Sequence, residues 1–181
     1  MTSILKVDTL QDSGGNAILS SDGAGTITTS AGLNTAITNA GFVTSANAGK
    51  VLQVVNYIDN TEYSTTSSTF QDAFSTTFTP TLSSSKVLIL CNIDSQKGSA
   101  DCNIGLKLLR DGSVSVGEFN TLLNTNNTQL VASIQSFNLL DTPATTSAIT
   151  YKIQFKVGGT GTVWVGAYTR KSTLTFLEIA G

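Results

Sequence analysis

The stretch Lys86-Val87-Leu88-Ile89-Leu90-Cys91-Asn92-Ile93-Asp94 decides the fold. An extended strand sends alternate side chains to opposite faces. Val87, Ile89, Cys91 and Ile93 therefore share one face, and Leu88 and Leu90 share the other. Both faces are apolar, so this strand needs cover on both sides. The second sheet of a sandwich covers one face. A partner subunit is the simplest cover for the other.

Similar runs flank it. Lys50 to Asp59 sets Leu52, Val54 and Ile58 against Val51, Val55 and Tyr57. Glu62 to Thr69 is rich in hydroxyl residues and reads as a loop or an edge strand. Phe70, Phe74 and Phe78 follow, and Ser75 to Pro80 favours a strand closed by the proline. Ser95 to Ala100 reads as a loop, followed by a strand from Cys102 to Arg110 carrying Ile104, Leu106 and Leu108. Arg110-Asp-Gly-Ser is a hairpin turn into Val114 to Phe119. Leu130 to Asp141 is a long strand. Ile149, Tyr151, Ile153, Phe155 and Val157 alternate with Thr150, Lys152, Gln154 and Lys156, the mark of a strand with one wet face. Gly158 to Gly161 turns the chain into a strand from Thr162 to Tyr168. Ser172 to Ala180 is again apolar on both faces, with Leu174 and Phe176 opposed to Leu177 and Ile179. Short strands at this spacing predict an all-β fold, a jelly-roll-like antiparallel β-sandwich over 49–181.

Residues 1–48 differ. Phe42 is their one aromatic residue, and short apolar runs are cut by Asp12-Ser-Gly-Gly and Ser21-Asp-Gly-Ala-Gly. They predict two or three short strands joined by glycine turns. Residues 31–41 suit either a short helix ended by Gly41 or an extended strand, a stalk in either case. Ser45 to Lys50 is the domain boundary.

Composition narrows the function. The chain has 181 residues, is 40% hydrophobic and only 12% charged, and carries a net charge of −2; an average domain has roughly 25% charged residues. Ser and Thr make up about a quarter of it. Strand-forming Thr and turn-forming Ser, Asn and Gly fit an all-β protein with a hydroxyl-rich surface. The lack of a basic patch argues against nucleic-acid binding. No apolar run is long enough to insert in a membrane. The first residues lack signal-peptide character, which suggests synthesis without export by that route.

Chemistry is sparse. There is no histidine, so the usual general base and Ser-His-Asp arrangements are absent, and with two thiols a zinc site is unlikely on these ligands. No catalytic residue, cofactor site or metal site is expected. Cys91 and Cys102 are small buried hydrophobes or, if 95–100 is a hairpin loop, neighbours within reach of a disulfide. Asp94 and Asp101 flank that loop. They are solubilising charges or, remotely, the carboxylate pair of a glycan hydrolase. Glu178, on the face of Leu174 and Phe176, pairs with Arg110 or Arg170 or sits at an edge. Trp164 and Tyr168 share one strand face, buried in a core or interface or exposed to stack on a sugar or partner. Asn124, Asn126 and Asn127 are loop residues able to hydrogen-bond a glycan. Ser21 to Ile27 faintly matches glycine-aspartate calcium repeats, but one copy is better explained as a turn.

Lys6-Val-Asp-Thr-Leu-Gln-Asp-Ser-Gly-Gly-Asn16 and Ser21-Asp-Gly-Ala-Gly-Thr-Ile27 resemble the start of tailed-phage virion proteins, particularly those of marine and cyanobacterial phages. Gly49-Lys-Val-Leu-Gln-Val-Val55, Ser84-Ser-Lys-Val-Leu-Ile-Leu90, Leu109-Arg-Asp-Gly112 and Ser172 to Gly181 are similar to the β-rich C-terminal module of such proteins. The resemblance implies a homotrimeric virion fibre or appendage, assembled in the host cytoplasm. Residues 1–48 would anchor it to other virion proteins, and 49–181 would form the outward knob. A short tail fibre, a head fibre and a capsid decoration protein all fit. Leu88, Leu90, Leu174, Phe176, Leu177 and Ile179 are the expected subunit interface. Trp164, Tyr168, Asn124, Asn126 and Asn127 are the candidates for contact with host surface polysaccharide or a partner.

Overall fold

The computed structural model describes residues 8–21, 24, 27–30, 33, 49–124 and 129–181. The chain divides into two compact units, Met1–Asn47 and Ala48–Gly181. In the first, β1 (Thr9–Gln11), β2 (Ala17–Ser21) and β3 (Ile27–Thr29) form an antiparallel sheet in that order. Asp12 shapes the first turn by accepting the backbone amides of Gly14 and Asn16, both at 2.9 Å. A short acidic side chain here replaces a backbone acceptor. The expected stalk over 31–41, apart from Leu33, lies outside the described residues.

The second unit holds β4 (Val51–Asp59), β5 (Tyr63–Thr65), β6 (Gln71–Phe78), β7 (Lys86–Lys97) and β8 (Cys102–Arg110). It continues with β9 (Val114–Leu122), β10 (Val131–Asp141), β11 (Ile149–Gly159), β12 (Val163–Val165) and β13 (Ser172–Ile179). One sheet runs β4-β13-β7-β12-β5, with β10 on the other edge of β7; the second runs β6-β11-β8-β9. All pairings are antiparallel. The unit is a jelly-roll-like β-sandwich.

β7 is the spine of the larger sheet. β10 pairs along its whole length, while β13 and then β12 share the opposite edge. Val87, Ile89, Cys91 and Ile93 point inward and are fully buried. They form one core with Ile104, Leu106 and Leu108 of β8 and Tyr151, Ile153, Phe155 and Val157 of β11. Phe176 of β13 closes it, stacked on Phe78 at 5.3 Å and tilted against Tyr151 at 5.1 Å between ring centroids. Burying a side chain of this size contributes roughly 1.5–3 kcal/mol.

Several expectations change. β7 extends through Lys97, so Ser95, Gln96 and Lys97 belong to the strand and not to a loop. The connection to β8 crosses from one sheet to the other instead of making a hairpin. Cys91 and Cys102 are buried free thiols on opposite sheets. Leu174 and Phe176, expected at the subunit interface, face the inter-sheet core with no exposed surface. The period of two holds in β13; the inward face is the one carrying the bulkier pair. Leu88, Leu90, Leu177 and Ile179 lie on the outer face, half-buried.

That outer face has a banded pattern. Val54, Leu177, Leu88 and Leu140 stand in register across β4, β13, β7 and β10. Val54 is 60% exposed and Leu140 is 56% exposed. Beside this row come Asn56, Thr175, Leu90 and Asn138, then Ile58, Thr173, Asn92 and Ser136. Thr175 donates to Asn56 at 3.0 Å, and Ser136 and Asn92 are 2.7 Å apart. An apolar row thus abuts uncharged rows in which hydroxyls and amides predominate around Leu90 and Ile58.

Candidate functional site

β7 loses β13 after Asn92 and gains β12 at Ser95. The gap is bridged by Gly166 and a single 3-10 turn, Ala167–Thr169. Gly166 has φ 67°, and a Cβ there would collide with the carbonyl oxygen of Thr61. Its amide donates to the Asp94 carbonyl at 3.1 Å. Tyr168 and Thr169 also lie in the left-handed region, at φ 56° and 58°, where a β-branched residue such as Thr169 is strained. This backbone break ends the strand at Val165. Trp164 and Tyr168 therefore do not share a strand face. Trp164 stays on β12, half-buried against Gly98, while Tyr168 sits on the turn, 72% exposed.

Asp94 is buried beneath this turn, inside β7 and not flanking a loop. Arg170 Nε lies 3.3 Å from Asp94 Oδ1, and Arg170 Nη2 donates to Gln96 at 2.7 Å. The guanidinium also lies 5.8 Å from the Tyr168 ring centre. Burial pushes the Asp94 carboxyl pKa up, more than Arg170 and the Ala167 amide pull it down. Asp101 is exposed in the turn before β8.

Next to the turn, the sandwich is open along one edge. β5 ends the larger sheet, and residues 66–70 cross from it to β6 in the smaller one. Hydroxyls lock the crossing. Thr65 Oγ1 accepts the Ser67 amide at 3.0 Å, Ser67 Oγ accepts the Thr69 amide at 3.1 Å, and the Ser67 carbonyl accepts the Val157 amide at 2.9 Å. Between β5 and β6 lies a cleft of about 710 Å³. Buried Phe155 forms its floor, half-buried Tyr63 and Phe70 its walls, and Glu62, Ser64, Gln71 and Asp72 its exposed rim.

The rim is held in place. Glu62 Oε2 accepts the Tyr168 amide at 2.8 Å, joining the cleft to the turn. Asp72 accepts Lys152 and Gln154, both at 2.7 Å, and the Lys152 bond leads in holding its carboxyl below the usual range. Gln71 Nε2 donates to the Phe70 and Thr69 carbonyls at 3.1 and 3.2 Å. Lys156 and Lys107 lie over the Phe70 ring, 4.4 and 5.2 Å from its centre. Polar groups around aromatic walls suit a small amphiphilic ligand.

The other expected residues go elsewhere. Glu178 pairs with neither Arg110 nor Arg170; it accepts Gln53, Thr81 and the amide of Leu82. Arg110 instead binds Asp141 at 2.6 Å. Asn124 is exposed, and Asn126 and Asn127 lie outside the described residues. Glu62, Phe70, Gln71 and Asp72 escaped the sequence reading. Their stretch reads as a hydroxyl-rich connector, and only the unabsorbed first member of the Phe70, Phe74, Phe78 series hints at an aromatic outside the core.

No protein-family model matches the chain, and no curated protein matches it. Among solved structures, it is similar to one of infectious bursal disease virus, Gx strain, at 17% identity and a TM-score of 0.41, over 72% of this chain and 39% of that chain. It is also similar to the VP2 subviral particle of infectious bursal disease virus, at 16% identity and a TM-score of 0.40, over 72% and 38%. The chain thus spans about two-fifths of the length of the viral chains it matches.

Proposed function

We infer that the chain is a structural protein of a tailed-phage virion, assembled as a homotrimeric short tail fibre or appendage. The observation that carries this is the apolar row Val54, Leu177, Leu88 and Leu140 across the outer face of the larger sheet. The inter-sheet core is filled within one chain, so this row is apolar surface outside it, and exposed Ile58 and Ile134 add to it on the same face. The rows beside it are mostly Asn, Thr and Ser, groups that both donate and accept, with Leu90 and Ile58 among them. Such a surface complements another copy of itself and selects no charged partner. The resemblance of Lys6 to Asn16 and of Ser172 to Gly181 to phage virion proteins supplies the setting. In this arrangement residues 1–48 attach to other virion proteins, and the sandwich faces outward toward the host surface.

A head fibre or capsid decoration protein is the second reading, since the same self-complementary face serves at either location. Gold-labelled antiserum against the purified chain, applied to particles from the source lysate, separates the two. Label at the tail is the expected result. Label over the capsid favours the second reading, and particles that carry no label contradict both.

A further inference from the structure

We propose that the cleft between β5 and β6 binds a neutral pyranose unit of a glycan. The proposal goes beyond the virion assignment and does not depend on it. A pyranose has apolar C–H faces and a belt of hydroxyls, so it needs aromatic walls and a rim of acceptors and donors. The cleft has both: Tyr63 and Phe70 as walls, and Glu62, Ser64 and Gln71 on the rim. Its volume of about 710 Å³ lies within the usual range for small-ligand sites.

Two features make it a prepared surface. Gln71 is tied through its nitrogen to the Phe70 and Thr69 carbonyls, which leaves its amide oxygen as the group to accept from a ligand. Glu62 is held by the Tyr168 amide through Oε2. Groups fixed before binding lose less entropy when a ligand arrives. Charge at the cleft is close to balanced. Asp72 is matched by Lys152, and Lys107 by Glu118 at 3.1 Å. The Glu62 carboxylate on the rim is opposed by the Lys156 ammonium over Phe70, so no net charge selects an ionic sugar over a neutral one.

The test is titration of the full chain, with assigned amide resonances, using methyl β-glucoside, methyl β-galactoside, N-acetylglucosamine and methyl glucuronide. The expected result is saturable shifts at Tyr63, Ser64, Gln71 and Asp72 with at least one neutral sugar, and no stronger response to the glucuronide. Ser64→Ala and Gln71→Ala should keep the melting temperature and weaken binding about fivefold each, the loss of one hydrogen bond. Absence of saturable shifts with every sugar overturns the proposal. So do shifts confined to Trp164 and Tyr168, or undiminished binding by both variants. A chain that binds sugar as a monomer would refute the trimer and leave the cleft standing.

Discussion

Glu178 on β13 accepts both the amide and the hydroxyl of Thr81, at 2.8 and 2.9 Å, from a residue 97 positions earlier in the chain. The same carboxylate takes the Leu82 amide at 3.1 Å and Gln53 at 2.6 Å. A charged residue in an apolar strand is thus the fastening point for the connection between β6 and β7. Burial works against its charge, but the hydrogen bonds from Gln53 and from the hydroxyl and amide of Thr81 outweigh that and hold its pKa at about 2, against an ordinary 4.5.

Glu178→Ala removes the buried carboxylate that fastens Gln53, Thr81 and Leu82 and should destabilise the protein by about 2 kcal/mol, the loss of several charge-assisted hydrogen bonds partly made good by water. Urea denaturation at pH 7 checks this. The pH dependence follows from the depressed pKa. Glu178 contributes stability in full above about 4.5, and the contribution fades as pH falls toward 2. Glu178→Gln should flatten the stability profile across that window, and an unchanged slope would exclude this role.

Tyr151 donates to Asp141 Oδ2 at 2.7 Å, while Arg110 binds Oδ1 of the same carboxylate at 2.6 Å. These three residues tie β11 and β8 of the smaller sheet to β10 of the larger. Tyr151→Phe should cost about 1 kcal/mol, and Asp141→Ala about 3 kcal/mol because it leaves a guanidinium unpaired. Burial, then the bond to Asp141, raises the Tyr151 pKa. Its stabilising effect is therefore full below the ordinary tyrosine value near 10 and is lost at more alkaline pH. Ultraviolet titration should find Tyr151 protonated past pH 10 until the protein unfolds. Ionisation of all four tyrosines together near pH 10 in the folded state would contradict this.

Cys91 and Cys102 should both resist a thiol reagent in the folded protein and both react in denaturant. Burial pushes the Cys91 thiol up to about 12, so almost no reactive thiolate exists at neutral pH. Counting thiols with and without guanidinium is enough. Absence of free thiols in denaturant would mean that a disulfide forms.

Gly166→Ala should destabilise the protein by more than 1 kcal/mol. Its positive φ penalises any side chain, and the new Cβ meets the Thr61 carbonyl oxygen. The melting temperature reports the loss, and an unchanged value would show that the turn re-forms freely.

Alternation made much of this fold legible. The inward set of β11 and the double-faced character of β7 follow from a period of two. Alternation gives the two faces of β13 but not which one is inside. Leu174 and Phe176 looked as fit for an interface as Leu177 and Ile179, and only the rings of Phe78 and Tyr151 opposite them decide it. Val163 to Tyr168 alternates smoothly, so the pattern alone predicts a strand to Tyr168, whereas β12 ends at Val165. The interruption comes from the backbone at Gly166, pressed against Thr61, a partner remote in sequence. The cleft was illegible for a similar reason. It is made by a chain crossing between sheets, and local periodicity is silent about crossings.

The central claim is that the apolar row on the outer face is covered by copies of the same chain. Sedimentation equilibrium of the intact protein at micromolar concentration tests it most directly, with Leu88→Asp and Leu177→Asp run alongside. A mass three times the 18.9 kDa of one chain, falling to a single folded chain in both variants, is the predicted result. A wild-type protein that stays a well-folded monomer at that concentration would contradict it.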